Sequence, residues 1–377
     1  MSHPVKYWSY LERYQADRPA VLAALDEAIS GGCLVLGPRV EAFEKAFASY
    51  GGTAHGIGVN SGTDALFLGL KALDVGPGDE VITVSNTAVP TVAAIRATGA
   101  RPVFVDIDPA TFLMDAARVE ERITPQTRVL LPVHLFGQMA PMTPLLEIAK
   151  RHNLQVVEDC AQATGARQDR RPAGSLGHLS AFSFYPTKVL GGYGDGGMML
   201  TASDELAARL RRLRFYGIER DYHSVEEGYN SRLDVVQATL LHQRLGSLDE
   251  RIRQRQHLAR LYTEGLKDVG DIVCPQTAPG NEHVFYVYTI RTAQRDALRQ
   301  HLAEQSIGAQ VNYPTPIHRM RGYSFLGLED GALPATERAS REILSLPMYP
   351  ELTPADVEVV VSAVRMFFAG GRRHAGC

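Results

Sequence analysis

Apolar residues follow two alternating periods along the N-terminal two-thirds of the chain. Short apolar runs, typical of buried strands, alternate with segments in which apolar residues recur at the spacing of a helix packed on a core. The predicted strands are residues 80–85, 101–108, 128–137, 154–161, 178–186 and 196–201. The predicted helices between them are residues 65–73, 91–100 and 144–153. This alternation predicts an α/β fold with a mostly parallel sheet.

The pattern changes after about Asp204. Long helical stretches are predicted over residues 205–214 and from about Val235 to Asp268. Beyond them, the pattern predicts strands at 282–291 and 307–314 and helices at 293–305 and 353–369. A chain of 377 residues has room for one large and one smaller domain. We therefore predict a large domain over residues 1–245 and a smaller C-terminal α/β domain over residues 246–377.

Composition and charge narrow the class of protein. Hydrophobic residues make up 45% of the chain and the formal net charge is −3, so charge gives no argument for binding nucleic acid or an anionic membrane. We find no apolar run of about 18 residues and no apolar core of a secretory signal. The cysteines at positions 33, 160, 274 and 377 are far apart and form no CxxC pair. We therefore expect reduced thiols, no metal site and a cytoplasmic location.

The segment VNSGTDALFLGL, residues 59–70, has the features of a phosphate site. A strand end meets Asn-Ser-Gly-Thr, and a helix follows at once. The first N–H groups of a helix have no partner within it and suit an anion, and Gly62 lets the backbone approach closely. The alternative, which is the commoner case for such a segment alone, is an ordinary N-cap at Ser61 or Thr63.

Asp159 ends a predicted buried strand, and ligands of parallel sheets bind at the carboxyl ends of the strands. A carboxylate there can pair with a protonated pyridine nitrogen and keep the ring able to accept electrons. Gln162 is placed to hydrogen-bond a ring oxygen of the same ligand. The alternative is an aspartate that only satisfies a turn.

Lys188 follows a predicted strand and precedes a glycine-rich run in AFSFYPTKVLGGYGDGG. A lysine on a constrained loop beside a sheet can be desolvated and act as nucleophile and base, although most lysines are solvated at the surface. A phosphate cradle, a pyridinium anchor and a lysine nucleophile are together what pyridoxal 5′-phosphate (PLP) requires. The three weak signals therefore strengthen one another.

Several segments together resemble the DegT/DnrJ/EryC1/StrS family of sugar aminotransferases over nearly the whole chain. These segments are LGPRVEAFEKAFASY, VNSGTDAL, LLPVHLFGQ, VVEDCAQATGA, FSFYPTKVLGGYGDGG, GYNSRLDVVQATLL, YPTPIH and SLPMYPELT. The resemblance implies the PLP-dependent fold-type I architecture, which is similar to aspartate aminotransferase. It also implies that Lys188 forms a Schiff base with PLP, that Asp159 pairs with the ring nitrogen and that Gln162 contacts the ring hydroxyl.

The resemblance implies further contacts to the cofactor phosphate. Gly62 and Thr63 would bind it, helped by the hydroxyl of Ser183. Asn230, in GYNSRLD, would reach it from the neighbouring subunit. A homodimer with shared active sites is therefore expected, and two-fold dimers are the commonest oligomers.

The substrate pocket is less defined by sequence. Tyr185, Tyr313 and His318 are candidate substrate contacts, with loop packing as the alternative for the last two. Arg214 and Arg232 lie nearest the expected site and are candidates for a nucleotide diphosphate, although the arginines of RLRRLRFYG are more typical of a solvated helix face.

The resemblance implies transamination from L-glutamate, giving 2-oxoglutarate, to a nucleotide-linked keto-sugar. NTAVPTVAAI is similar to the subgroup that aminates C3 of dTDP-linked 6-deoxyhexoses. A dTDP-3-oxo-6-deoxyhexose is thus the expected acceptor, and a 4-aminotransferase and a non-catalytic PLP-binding regulator are the alternatives. Dehydratases of the family carry histidine where this chain has Lys188, so the lysine favours transamination.

Two positions depart from the common pattern of the family. Many relatives have a cofactor-stacking aromatic residue at Ala88, and relatives often have asparagine at Val189. We expect either that Asn86 or Val89 replaces the missing aromatic contact or that the substrate pocket is reshaped, and we have no physical account of Val189.

Overall fold

Several helices begin where the sequence provides a side-chain cap or a proline. The computed structural model describes residues 4–371 of the chain. The Oγ of Ser61 accepts a hydrogen bond from the amide of Asp64 at 3.1 Å at the start of one helix, and Ser203 accepts from Leu206 at 3.2 Å at another. The α-helices are α1 (Leu11–Ser30), α2 (Pro38–Tyr50), α3 (Gly62–Ala72), α4 (Val89–Ala97), α5 (Met142–Arg151), α6 (Asp204–Leu213), α7 (Val235–Leu245), α8 (Leu248–Leu266), α9 (Arg295–Glu304), α10 (Pro334–Glu342) and α11 (Pro354–Gly371).

The strands are short and form one large sheet with three small ones. They are β1 (His55–Val59), β2 (Glu80–Val84), β3 (Arg101–Val105), β4 (Thr127–Leu130), β5 (Gln155–Asp159), β6 (Arg167–Gln168), β7 (Arg171–Pro172), β8 (Leu179–Ser183), β9 (Gly197–Thr201), β10 (Ile218–Arg220), β11 (His223–Ser224), β12 (Asn281–Glu282), β13 (Tyr288–Arg291) and β14 (Ile343–Leu346). The large sheet has seven strands in the order β1-β9-β8-β5-β4-β2-β3.

The seven-stranded sheet is parallel except at one strand. β9 pairs antiparallel with both β1 and β8, whereas the pairs from β8 through β5, β4 and β2 to β3 are parallel. The predicted α/β fold with a mostly parallel sheet is therefore confirmed. Because the carboxyl ends of the parallel strands share one edge, the segments after β1, β2, β5 and β8 meet there.

Three predicted elements of the C-terminal part of the chain are wrong. Residues 282–291 are not one strand, because Val284 and Tyr286 donate their amides to the carbonyls of Gly137 and Phe136 at 2.9 and 3.0 Å. Residues 307–314 form no strand, and only isolated bridges occur there, at 307 and 310. The predicted helix over 235–268 is broken between α7 and α8 by the Gly246–Ser247 pair, residue types with weaker helix preference.

The apolar side chains form two main cores. The first lies around the large sheet and includes Leu248 and Ile252 of α8. The second joins the rest of α8, from Leu258 onward, with β13, β14, α9 and α11, and it also takes in Val5. The break before α8 lies next to the predicted domain boundary. The change from the first core to the second, however, falls within α8, between Ile252 and Leu258. The division into residues 1–245 and 246–377 stays a prediction.

Two further features of the described part of the chain are the state of its cysteines and the apolarity of its helices. Cys33, Cys160 and Cys274 are free thiols, and Cys377 lies outside the described residues. Within residues 4–371, no helix combines the length and apolarity needed to cross a bilayer.

Candidate active site

One cavity of about 580 Å³ opens at the carboxyl edge of the large sheet. This volume suits a small-molecule ligand. It brings together most of the predicted site residues, which are Gly62, Thr63, Asp159, Gln162, Ser183, Tyr185, Lys188 and Tyr313. Residues separated by more than a hundred positions in sequence thus face one space, because the strand order places their loops side by side.

Asp159 lies at the end of β5 with 4% of its surface exposed. Burial raises the pKa of its carboxyl, while hydrogen bonds from Thr91 and the amide of Ala161 act in the opposite direction. The Oγ1 of Thr91 donates to Oδ2 at 2.8 Å, and the Ala161 amide donates to Oδ1 at 3.1 Å. Since the Thr91 hydroxyl gives its proton to Asp159, it accepts from Thr87 across the 2.8 Å contact between the two hydroxyls. The carboxylate is thereby held in one orientation.

Lys188 follows a tight turn after β8. Its amide donates to the carbonyl of Tyr185 at 2.8 Å. A Cβ at Gly191 would lie 2.3 Å from the carbonyl oxygen of Pro186, so glycine is needed for this loop to close on itself. The Nζ of Lys188 lies 4.8 Å from the centroid of the Tyr286 ring, a cation–π contact. The Tyr286 hydroxyl is 3.0 Å from Oγ1 of Thr187, which fixes the ring.

The start of α3 has both a capping serine and the features of a phosphate site, the two possibilities that its sequence allowed. Ser61 is the N-cap, and Gly62 and Thr63 occupy the first helical positions, where amides have no partner within the helix. A Cβ at Gly62 would lie 2.7 Å from the Cβ of Ser183. Only glycine at position 62 therefore lets α3 approach β8 so closely that the hydroxyl of Ser183 lies beside the N-terminus of the helix. This cradle fits a phosphate group.

Gln162 and Tyr313 form a linked pair. The Oε1 of Gln162 accepts from the amide of Phe136 at 2.9 Å, and its Nε2 donates to the Tyr313 hydroxyl at 3.1 Å. Burial raises the pKa of Tyr313 well above its usual value, so the phenol stays protonated. One N–H of Gln162 and the proton of Tyr313 remain to donate to a ligand.

Two predicted site residues lie outside this cavity. Asn230 is exposed, and its backbone pairs with Phe215. His318 is buried, with Nδ1 2.7 Å from the Ser85 hydroxyl and Nε2 3.3 Å from Oε1 of Glu337. The geometry therefore gives no support to a substrate contact by His318, because its ring nitrogens are engaged inside the protein.

The two arginines proposed for a diphosphate are also engaged. Arg214 is 7% exposed, pairs with Glu44 and donates to the carbonyl of Gly58 at 2.8 Å. The guanidinium of Arg232 lies 5.3 Å from the centroid of the Phe215 ring. The geometry therefore gives no support to a diphosphate contact by Arg214, because its charge is already neutralised inside the protein.

The cavity thus combines an anion cradle, a buried carboxylate and a lysine, and this set fits PLP. A sequence model of the DegT/DnrJ/EryC1/StrS aminotransferase family matches residues 15–365. The chain belongs to this family. The predicted aminotransferase activity, PLP cofactor and fold type are confirmed by this membership and by the structures that are similar.

Individual relatives of this aminotransferase are similar along their whole length. The dTDP-3-amino-3,4,6-trideoxy-alpha-D-glucose transaminase of Micromonospora megalomicea subsp. nigra is 49% identical, over 96% of this chain and 98% of that protein. The pleiotropic regulatory protein of Geobacillus stearothermophilus is 45% identical, over 95% and 96%. The crystal structure of S. venezuelae DesV in complex with a ketimine intermediate has a TM-score of 0.95 at 44% identity, and covers 97% of this chain and 99% of that one.

The residues that line the cavity near Ala88 are not those expected to replace the aromatic residue. Ala88 lines the aminotransferase cavity together with Thr87 and Pro90, whereas neither Asn86 nor Val89 is among the described residues that line it. Ala88 therefore leaves space on this side of the cavity.

The sequence alone missed Thr87, Thr91 and Tyr286. Thr87 and Thr91 are four positions apart, and this spacing at a predicted helix start is the signal that could have paired them. Tyr286 sat within a wrongly predicted strand, and no sequence signal placed it near Lys188.

We expect Thr91→Val to lower the turnover of this aminotransferase about tenfold, since a hydrogen bond to a charged group contributes roughly 1.5–3 kcal/mol. Losing the Thr91 donor should raise the pKa of Asp159 further, so the acid limb of the pH–activity profile should move to higher pH. The pH titration of the bound cofactor's absorption should move in the same direction. Thr91→Ser, which keeps the hydroxyl, should behave like the wild type. Identical profiles for Val and wild type would show that this hydrogen bond does not tune Asp159.

Proposed function

We propose that the protein transfers the amino group of L-glutamate to C3 of a nucleotide-linked keto-deoxysugar, with a dTDP-3-oxo-6-deoxyhexose as the first candidate. The observation that carries this proposal is the convergence of Lys188, Asp159 and the phosphate cradle in one cavity of about 580 Å³. The names of the Micromonospora relative and of other relatives support a sugar nucleotide as the acceptor.

The residues of this chain have distinct tasks in the proposed reaction. PLP, when bound, supplies a ring that accepts the electron pair released at the substrate carbon. Asp159 would hold the proton on the ring nitrogen. Lys188 would hold the cofactor and, with its amine free, would act as general base and then as general acid at the substrate carbon. Gln162 and Tyr313 would orient the ring through its hydroxyl.

The proposed assembly is a homodimer with shared active sites. Asn230 is exposed and does not line the cavity of its own subunit, as expected of a residue that reaches the phosphate in a partner. Two nearby aromatic side chains, Tyr216 and Tyr222, are 42% and 84% exposed, and such side chains are common in subunit interfaces. The free thiols of the described cysteines support the proposed cytoplasmic location.

A second candidate function is regulation without turnover. One relative at 45% identity is named a pleiotropic regulatory protein, and this name is the observation that favours the second candidate. A regulator that only binds PLP would keep the absorption band of the lysine-bound cofactor when glutamate is added. An aminotransferase would lose that band as the cofactor takes up the amino group.

We expect one class of keto-sugar to restore the band after glutamate has removed it. The measurement mixes the aminated holoenzyme with dTDP-, UDP- and GDP-linked 3-keto and 4-keto sugars and records the absorption spectrum. Recovery with the dTDP-linked 3-keto sugar is the expected result. Recovery only with a 4-keto sugar would establish the 4-aminotransferase alternative, and no loss of the band with glutamate would favour the regulator.

A further inference from the structure

A second, much smaller cavity lies beside the loop that carries Lys188. Its volume is about 40 Å³, and among the described residues that line it, only Lys188 is shared with the active-site cavity. Its walls come from the N-terminal segment, the Lys188 loop, α7, α8 and the segment before α11. Four arginines line it, namely Arg13, Arg244, Arg251 and Arg255. This is a high density of positive charge for so small a space.

The carboxylates near these arginines compensate only part of their charge. Arg251 pairs with Glu351 at 2.8 Å and Arg13 pairs with Asp17 at 2.9 Å. Glu351 is the one acidic residue that lines the cavity in the described part of the chain. Within residues 4–371, Arg244 and Arg255 form no ion pair, so two guanidinium groups at this cavity lack an anionic partner.

Arg255 is the most constrained of the four, with 2% of its surface exposed. Its Nη1 donates to the carbonyls of Phe285, Tyr286 and Met348 at 3.2, 3.2 and 3.1 Å. Its Nε–H has no acceptor among the residues that the structure describes. Burial, and then the charge of Arg251, lowers the pKa of Arg255 to about 10. A buried charged donor without an acceptor is unfavourable and calls for a missing partner.

We propose that this cavity binds a single inorganic oxyanion of the phosphate or sulfate type. Planar guanidinium groups donate pairs of parallel N–H bonds that match an oxyanion. One water needs roughly 10–15 Å³ of such volume, so about 40 Å³ admits a small polyatomic anion and excludes a nucleotide or a sugar. The missing acceptor for Arg255 and the missing counter-charge for Arg244 are then supplied by one ligand.

The bound oxyanion would brace the wall of the active site. Arg244 donates to the carbonyl of Gly191 in the Lys188 loop, and Arg255 holds the carbonyl of Tyr286, whose ring contacts Nζ of Lys188. Both arginines are thereby linked to the loop or to the ring that surrounds the lysine. The expected consequence is higher stability of the holoenzyme when the anion is present.

The test measures the thermal unfolding midpoint of the PLP-loaded full chain in chloride, phosphate and sulfate at constant ionic strength. PLP occupies the cofactor cradle, so that cradle cannot account for a phosphate effect. We expect a saturable rise in phosphate, in sulfate or in both, beyond that in chloride. Arg244→Gln should weaken the apparent affinity about tenfold or more, because it removes charge-assisted hydrogen bonds.

The matched control is Arg253→Gln, since Arg253 is on the same helix as Arg251 and Arg255 but its side chain is 65% exposed. It should keep the wild-type response. Equal responses in wild type, Arg244→Gln and Arg253→Gln would overturn the proposal, because phosphate and sulfate also stabilise proteins without binding. Chloride acting as well as the oxyanions would overturn the oxyanion class.

A second measurement does not depend on any variant folding. Crystals of the wild-type holoenzyme soaked in tungstate, a tetrahedral oxyanion, should show an anomalous peak between Arg244 and Arg255. A peak elsewhere only, or none, would contradict the site.

Discussion

Replacing Lys188 with alanine is expected to stop transamination while the protein remains folded. The variant loses both the covalent link to PLP and the base that moves the proton, and proton transfer by a positioned group alone contributes about 10²–10⁴-fold. We therefore expect a fall in turnover of at least about 10³-fold. The fold should survive, because within residues 4–371 the side chain of Lys188 forms no ion pair and the turn is closed by its backbone amide.

The measurement combines steady-state rates with mass spectrometry after borohydride reduction. Borohydride should fix the mass of the cofactor onto the wild type and not onto Lys188→Ala. Lys188→Arg is the matched control for charge, since it keeps a cation near Tyr286 but cannot form the covalent link, and it should be equally inactive. Turnover close to the wild type in either variant would remove Lys188 from the mechanism.

Asp159→Asn is expected to have the second largest effect, a fall in turnover of roughly a thousandfold. The amide oxygen of asparagine can still accept from the Ala161 amide, while the Thr91 hydroxyl can accept from the new NH2 group and donate to Thr87 instead, so the geometry is kept. The negative charge that holds a proton on the ring nitrogen is lost, and the ring then accepts electrons poorly. Asp159→Glu, which keeps the charge but displaces it, should lie between the wild type and Asn.

Asp159→Asn lowers turnover, but it should not lower the thermal stability of the cofactor-free protein. Burial raises the pKa of Asp159, so the folded protein binds a proton here more readily than the unfolded chain does. Ionising the buried carboxyl therefore lowers the free energy of unfolding. This loss is absent when pH is below the pKa of Asp159 in the unfolded chain, and it is complete once pH exceeds the pKa of Asp159 in the folded protein. At neutral pH and above, cofactor-free Asp159→Asn should therefore melt no lower than the wild type. A clearly lower midpoint, or wild-type activity of the Asn variant, would contradict this account of Asp159.

The convergence of the predicted cofactor residues in one cavity has a physical basis. Ser61-Gly62-Thr63, Asp159 and Lys188 each lie near or just after the end of a predicted strand, and the carboxyl ends of parallel strands meet at one edge of a sheet. Their chemistry and their strand positions together were enough to predict the contents of the cavity. Residue type also indicated the close approach of α3 to β8, because glycine at position 62 leaves room for it.

The points where the structure departs from these predictions share a different cause. His318 and Arg214 have suitable chemistry and suitable positions along the chain, but packing encloses them with Glu337 and Glu44. Those pairings join segments that no periodic pattern relates. The predicted strand at 282–291 fails for the same reason, since Val284 and Tyr286 bond to a distant loop in place of a neighbouring strand.

The sequence by itself determined most element types, the α/β class, the family and the order of cradle, aspartate and lysine, because these depend on local periodicity and on residue chemistry. Only the tertiary structure decided that Thr91 bonds to Asp159, that Tyr286 lies against Lys188, and that uncompensated arginines converge on a second cavity. Such contacts depend on strand order and on how helices pack over the sheet. Residues far apart in the chain become neighbours only when those long-range arrangements are fixed.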